Sequence, residues 1–183
     1  LGVNCTGLIC QDEDWQTCVY AKPHVGEVEQ DRFDFGIFNE LSAASEARLL
    51  RSLEAALPQL DIVIINQQMI SGICTESLRR QLNELAASCD STLFIVDSRD
   101  FNDEFTGVMR KLNEHEAMRS WQGEHDLQHK PSLAELSEAS EELYLRWQQP
   151  IFITRGERGI LVKTLEQLER INGIQRSGQL DSV

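Results

Sequence analysis

The chain contains three short, nearly continuous apolar runs: "DIVIIN" (61–66), "TLFIVD" (92–97) and "PIFITRG" (150–156). Each has the length of one strand, and each comes after a segment with helical periodicity. Strands open to water on one face alternate apolar and polar residues. Continuous runs therefore predict strands covered on both faces, as in a parallel sheet between helices. The helical segments carry their own start signals. Ser42 can cap a stripe of Ala47, Leu50, Leu53 and Leu57 that stops at Pro58. Thr75 can cap a second helix with Leu78, Leu82 and Leu85 on one face. Ser132-x-x-Glu135 is a capping box ahead of Leu133, Leu136, Leu143 and Trp147. Helix then strand, three times over, predicts a mostly parallel, three-layer α/β/α sheet.

Residues 1–40 read differently. "TCVYAKP" (17–23) and "DRFDFGIF" (31–38) are two strand-like segments joined by a turn at Gly26, so a small β region precedes an α/β core at 41–183. The polar stretch 119–130 reads as a loop. At 183 residues the chain can bury one substantial core, and the expectation is a single domain. A net charge of −13 supplies no basic stripe for nucleic acid. No stretch approaches the roughly 18 apolar residues of a membrane span, and no secretory signal opens the chain. Five cysteines without a C-x-x-C pair read as free, mostly buried thiols in a reducing cytoplasm. His24, His115, His125 and His129 lack the spacing of a metal set. The chain begins at Leu1 and stops at "GQLDSV", which points to a piece of a longer protein.

In open α/β sheets ligands collect beyond the carboxyl ends of the strands. Here those ends are Asn66-Gln67-Gln68, Asp97-Ser98-Arg99 and Thr154-Arg155-Gly156, all polar. Two stretches add chemistry. "FITRGERGILV" (152–162) is either an ordinary hairpin or a strand ending in a phosphate cradle, where glycines let backbone amides approach an anion. "KLNEHEA" (111–117) places Asn113 and Glu116 three apart. They form either a capping box or, through Glu116 and a bridging water, part of a Mg²⁺ site.

The order of these boxes resembles the PfkB (ribokinase-like) carbohydrate kinases. "KLNEHEA" is similar to that family's K-P-N-x-x-E, with Leu112 in place of the usual proline, and "TRGERG" to its T-x-G-x-x-G. "LDSV" resembles the opening of the signature D-[ST]-[VT]-G-A-G-D. The resemblance implies a ribokinase-like fold, with 1–40 as lid strands and return strand. It implies ATP-dependent phosphoryl transfer to a sugar or sugar phosphate, with Mg²⁺ and a monovalent cation such as K⁺. Asn113, Glu116, Thr154, Gly156, Gly159 and Asp181 would be cofactor-binding, Glu116 holding the metal through water. The catalytic base and the anion-hole amides would lie just past Val183, so that these 183 residues alone would be inactive. "YAKP" with "DRFDFG" resembles the heptose-phosphate kinase branch, which makes Lys22, Arg32 and Asp34 candidates for contacting a phosphorylated sugar. The alternative for these three is solvated strand-face charge. Gln67, Asp97 and Arg99 are further substrate candidates at strand ends, and a homodimer through the lid belongs to the same expectation. The competing reading is a non-catalytic, doubly wound nucleotide-binding or regulatory module.

Overall fold

The computed structural model describes residues 2–69, 72–124 and 126–174. The chain divides into two compact units. One takes the residues up to Val63 together with Gln67–Thr92; the other takes Ile64–Asn66 and the chain from Leu93 onward.

In the first unit, β1 (Val19–Ala21) pairs antiparallel with β4 (Phe33–Phe35), and β2 (His24–Val25) with β3 (Val28–Glu29) forms a hairpin between them. Gly26, at φ +65°, makes the turn of this inner hairpin, whereas the sequence pattern predicts a turn directly between the two longer segments. Val19 lies opposite Phe35 and Ala21 opposite Phe33, so these four share one face while Tyr20 and Asp34 share the other. The buried Asn39 ties the ribbon to its lead-in. Its amide nitrogen donates to the Gln16 and Gly36 carbonyls, and its oxygen accepts from the Gln16 amide, each at 2.8 Å.

Helix α1 (Ala43–Ala56) starts where expected, with the Ser42 hydroxyl accepting from the Ser45 amide. Helix α2 (Glu76–Ser88) is capped by Thr75, which accepts from the Leu78 amide. Glu46 joins the two helices by accepting from the Thr75 hydroxyl at 2.6 Å and from Gln81 at 3.0 Å. Strand β5 (Ile62–Gln67) contributes residues to both units.

The second unit holds β6 (Leu93–Ser98), β7 (Met109–Asn113), α3 (Glu114–Gln122), α4 (Leu133–Trp147), β8 (Ile151–Thr154), β9 (Ile160–Lys163) and β10 (Leu168–Ile171). The six-stranded sheet has the order β10-β9-β8-β7-β6-β5. Strands β6, β7 and β8 are parallel neighbours; β9 runs against β8, and β10 against β9. Thus β6, β7, β8 and β10 point one way. Register aligns Arg110, Ile151 and Lys163 in one row and Leu112, Ile153 and Leu161 in the next. These rows are buried under α3 and α4 through Ala117, Met118, Leu136, Ala139 and Leu143. Each large apolar side chain so buried contributes about 1.5–3 kcal/mol. On the opposite face, Lys111–Phe152–Val162 and Asn113–Thr154–Ile160 are half-buried.

Four sequence expectations change. Strand β7 replaces part of the expected connection between the second and third apolar runs, because Arg110 and Lys111 interrupt its apolar pattern. Helix α3 runs to Gln122, so the polar loop begins later than Arg119. Burial alternates along β5 and β6: Val63 and Phe94 are buried while Ile64 and Leu93 are 70% and 56% exposed. Apolar continuity there reflects the β preference of branched and aromatic residues rather than cover on both faces. Of the five free cysteines only Cys74 is buried, because Cys5 and Cys10 lie in the exposed lead-in.

Candidate functional site

Parallel strands β6, β7 and β8 run in one direction, so their carboxyl ends lie on the same side of the sheet. Asn113 ends β7 and caps α3: its Oδ1 accepts from the Glu116 amide at 2.8 Å, and Glu116 Oε2 accepts from the Asn113 amide at 2.7 Å. The capping-box reading of this pair is therefore realised in full. Glu116 is half-buried, and among the described residues its second carboxylate oxygen has no partner. Thr154 is the register partner of Asn113 on β8, and its hydroxyl donates to the Leu112 carbonyl at 3.2 Å. One row back on the same face, Lys111 Nζ pairs with Asp97 Oδ2 at 2.8 Å, both partly exposed. Asp97, Lys111, Asn113 and Thr154 therefore share one face near the carboxyl ends of adjacent strands.

"FITRGERGILV" is a hairpin whose turn is a 3-10 segment, Gly156–Arg158, closed by the Arg155 amide donating to the Gly159 carbonyl at 2.8 Å. Its two glycines serve different ends. Gly159, at φ +89°, is held against the chain just after β10, and a Cβ there would strike the Ile171 carbonyl and the Gly173 amide. Gly156, at φ +55°, has open space where a Cβ would stand. Its backbone is approachable from outside, as a cradle for an anion requires.

In the first unit, Arg32 grips Asp34 through two nitrogens at 2.6 and 2.8 Å, with its guanidinium 4.6 Å from the centre of the Tyr20 ring. Hydrogen bonding to Asp34 pushes the already high Arg32 pKa further up. Lys22 pairs with Glu29 at 3.0 Å. Gln67 is buried and donates to the Met69 carbonyl at 2.5 Å, so its amide nitrogen is committed to its own chain. Arg99 is exposed, and its carbonyl accepts from Arg119. Asp181 and the rest of "LDSV" lie outside the described residues.

One residue of the turn stands out beyond the sequence reading. Arg155 is 7% exposed, and among the described residues its Nε and Nη1 have no hydrogen-bond partner. It continues the buried alternation of Ile151 and Ile153, which was the one signal available. A neighbouring pair is satisfied, with Arg158 bonded to Glu114.

No family model matches the chain, and no curated protein matches it. Solved structures do. A phosphofructokinase-2 variant from Escherichia coli matches at 16% identity and a TM-score of 0.61, over 81% of this chain and 48% of that one. Ribokinase from Giardia lamblia matches at 17% identity and 0.55, over 72% and 41%. Pyridoxal kinase from Staphylococcus aureus matches at 16% and 0.51, over 83% and 56%. The chain thus spans about half the length of these proteins. The likeness establishes the fold: the mostly parallel sheet with its helices is of the ribokinase-like α/β type.

Proposed function

We propose that the chain is the nucleotide-side part of a PfkB-type kinase whose intact form transfers the γ-phosphoryl group of ATP to a hydroxyl of a sugar or sugar phosphate in the cytoplasm. One observation carries the reading: Asn113 and Thr154 are register partners at the carboxyl ends of parallel strands, and Thr154 leads directly into a turn open at Gly156. Similar solved proteins are kinases by name, and phosphofructokinase-2 from Escherichia coli is solved both in complex with fructose-6-phosphate and in complex with potassium.

Phosphoryl transfer asks a protein mainly for positioning and charge stabilisation. The Gly156 backbone amide supplies a donor for phosphate oxygens, and the Thr154 hydroxyl supplies a second by exchanging the Leu112 carbonyl for the ligand. The free oxygen of Glu116 fits a metal-bound water, and Mg²⁺ bound there would neutralise phosphate charge. The Asn113 amide keeps that carboxylate aimed by occupying its other oxygen. On this reading Gly159 shapes the turn, and Asp181 orders a loop or a monovalent cation. The base lies past Val183, and the 183 residues alone do not turn over. Lys22, Arg32 and Asp34, with Gln67, Asp97 and Arg99, serve the sugar side, in the manner of the heptose-phosphate branch. Residues 1–40 are a lid, and its apolar face, with Val19, Phe33 and Phe35 each about half exposed, is where a second copy docks.

The test is ATP turnover by the purified intact protein across sugars, sugar phosphates and nucleosides, with and without Mg²⁺. Phosphorylation of a sugar hydroxyl is expected; absence of turnover with every acceptor in a folded protein would sink the reading. The completed capping box favours a second reading, a non-catalytic α/β module in which Asn113 and Glu116 only start a helix. Glu116→Gln in the intact protein separates the two. Gln also serves at the third helical position, so a structural role leaves kinetics unchanged. A metal-holding role raises the Mg²⁺ requirement and lowers kcat by about 10-fold or more.

A further inference from the structure

The second unit contains a buried cation with two nitrogens that nothing among the described residues satisfies. Arg155 is 7% exposed, and its Nε and Nη1 reach neither solvent nor an acceptor. A guanidinium does not escape burial by losing its proton under ordinary conditions, so an unpaired one in the interior is a standing cost. Its surroundings add to that cost. Burial first, then the charges of Arg158 and Arg170, oppose the protonated form, and among the described residues Glu114 favours it. Glu114 is already bonded to Arg158. Among the charges that act on Arg155, cations are in surplus over carboxylates, in a chain whose net charge is −13.

Register fixes which side of the sheet this cluster occupies. Arg155 continues the alternation of Ile151 and Ile153 along β8, and Arg170 lies opposite Leu161, itself opposite Ile153. Both belong to the face on which α3 and α4 lie, while Thr154 belongs to the other. We propose that this side of the turn 155–159 is a binding site for a dianionic phosphoryl group, with Arg155 as the central ligand and Arg158 and Arg170 flanking it. A phosphoryl group carries close to two negative charges near neutral pH and several acceptor oxygens. It therefore matches the surplus charge and the forked donors better than a single carboxylate does. The site lies on the face opposite Thr154 and does not depend on the kinase reading.

The test compares thermal unfolding and calorimetric titration of the protein and of Arg155→Met, with inorganic phosphate, AMP and ATP as probes. Chloride at matched ionic strength is the control. Without phosphate, Arg155→Met is expected to melt at or above the wild-type temperature, since it removes an unpaired buried charge. Phosphate is expected to raise the wild-type melting temperature and to leave the variant's unmoved, with affinity lowered at least tenfold, in keeping with the loss of a charge-assisted hydrogen bond. Arg170→Gln, at an exposed position, should weaken binding without altering the fold. A shift with inorganic phosphate identifies free phosphate as a sufficient ligand. A shift with nucleotides alone assigns the phosphoryl group to a nucleotide. Equal responses of wild type and Arg155→Met, or no response of the wild type to any probe, would overturn the proposal.

Discussion

The β1–β4 ribbon and the β8–β9 hairpin are both antiparallel pairs with arginines beside them, yet they are held in opposite ways. In β8–β9, Ile151, Ile153 and Leu161 are buried under helices and the turn is locked by backbone packed against Gly159. In β1–β4, Val19, Phe33 and Phe35 are 48%, 57% and 56% exposed, and the charged side chains are tied mainly to one another. Exposed ion pairs add little to stability. The candidate groups of β8–β9 are thus placed by the fold, and those of β1–β4 by side chains free to exchange partners. Substitutions in the first region should register in stability, and in the second in ligand affinity.

The largest expected effect tests the locked turn. Gly159→Ala combines a left-handed backbone with collision against two backbone groups, and should cost more than about 3 kcal/mol. Gly156→Ala meets open space and should cost only the conformational penalty of about 1–2 kcal/mol. Denaturant unfolding of the two variants side by side measures the difference. Equal losses would mean that the close approach at Gly159 relaxes freely and that the two hairpins are less unlike than their packing implies.

That contrast was only partly legible in the sequence. Caps at Ser42, Thr75 and Ser132, three strand runs and the turn glycines come from local rules and are found in place. Strand β7 was hidden because a fully charged residue sits at its core-facing position. Arg110 is 1% exposed and donates to the carbonyls of Asn102, Val108 and Phe105 while lying 4.3 Å from the centre of the Trp147 ring. A polar residue buried by backbone acceptors outside its own strand leaves no periodic trace. Arg155 does keep the alternation of Ile151 and Ile153, but its environment depends on Arg170 from another strand, which no local pattern carries. The roles of Gly156 and Gly159 look alike in "TRGERG" and diverge only once β10 returns against one of them.

An intermediate effect concerns the cover over β8–β9. Helix α4 starts with a capping box in which Glu135 accepts from the Ser132 amide at 2.8 Å and meets His129 Nε2 at 2.9 Å. Hydrogen bonding from Ser132, and then from His129, holds the Glu135 carboxyl down at about 2, from an ordinary 4.5. A carboxyl depressed in the folded state contributes stability that is fully present above the unfolded pKa and is lost as pH falls through the folded one. Stability should therefore decline between about pH 4.5 and pH 2, and Glu135→Gln should flatten that part of the profile. Urea unfolding at stepped pH measures it. An unchanged slope in the variant would show that the acid response comes from other carboxyls and that this cap does not help secure the helix over the hairpin.

The smallest effect on the fold, and the one most informative about ligands, is expected in the ribbon. Arg32 is exposed, bonded to Asp34 on its own strand segment and set over Tyr20. Arg32→Ala should leave the melting temperature unmoved. If Arg32 exchanges Asp34 for the phosphate of a phosphorylated sugar, the same change should raise KM for that substrate about tenfold, the scale of one charge-assisted hydrogen bond. The value for the unphosphorylated sugar and kcat should stay as they are. Asp34→Asn sharpens the test, because it frees Arg32 from its partner and should lower KM for the phosphorylated substrate. Steady-state kinetics of the intact protein with matched substrates decides. If both variants leave KM alone, or shift it equally for both substrates, the Arg32–Asp34 pair is solvated strand-face charge and the ribbon takes no part in recognising phosphate.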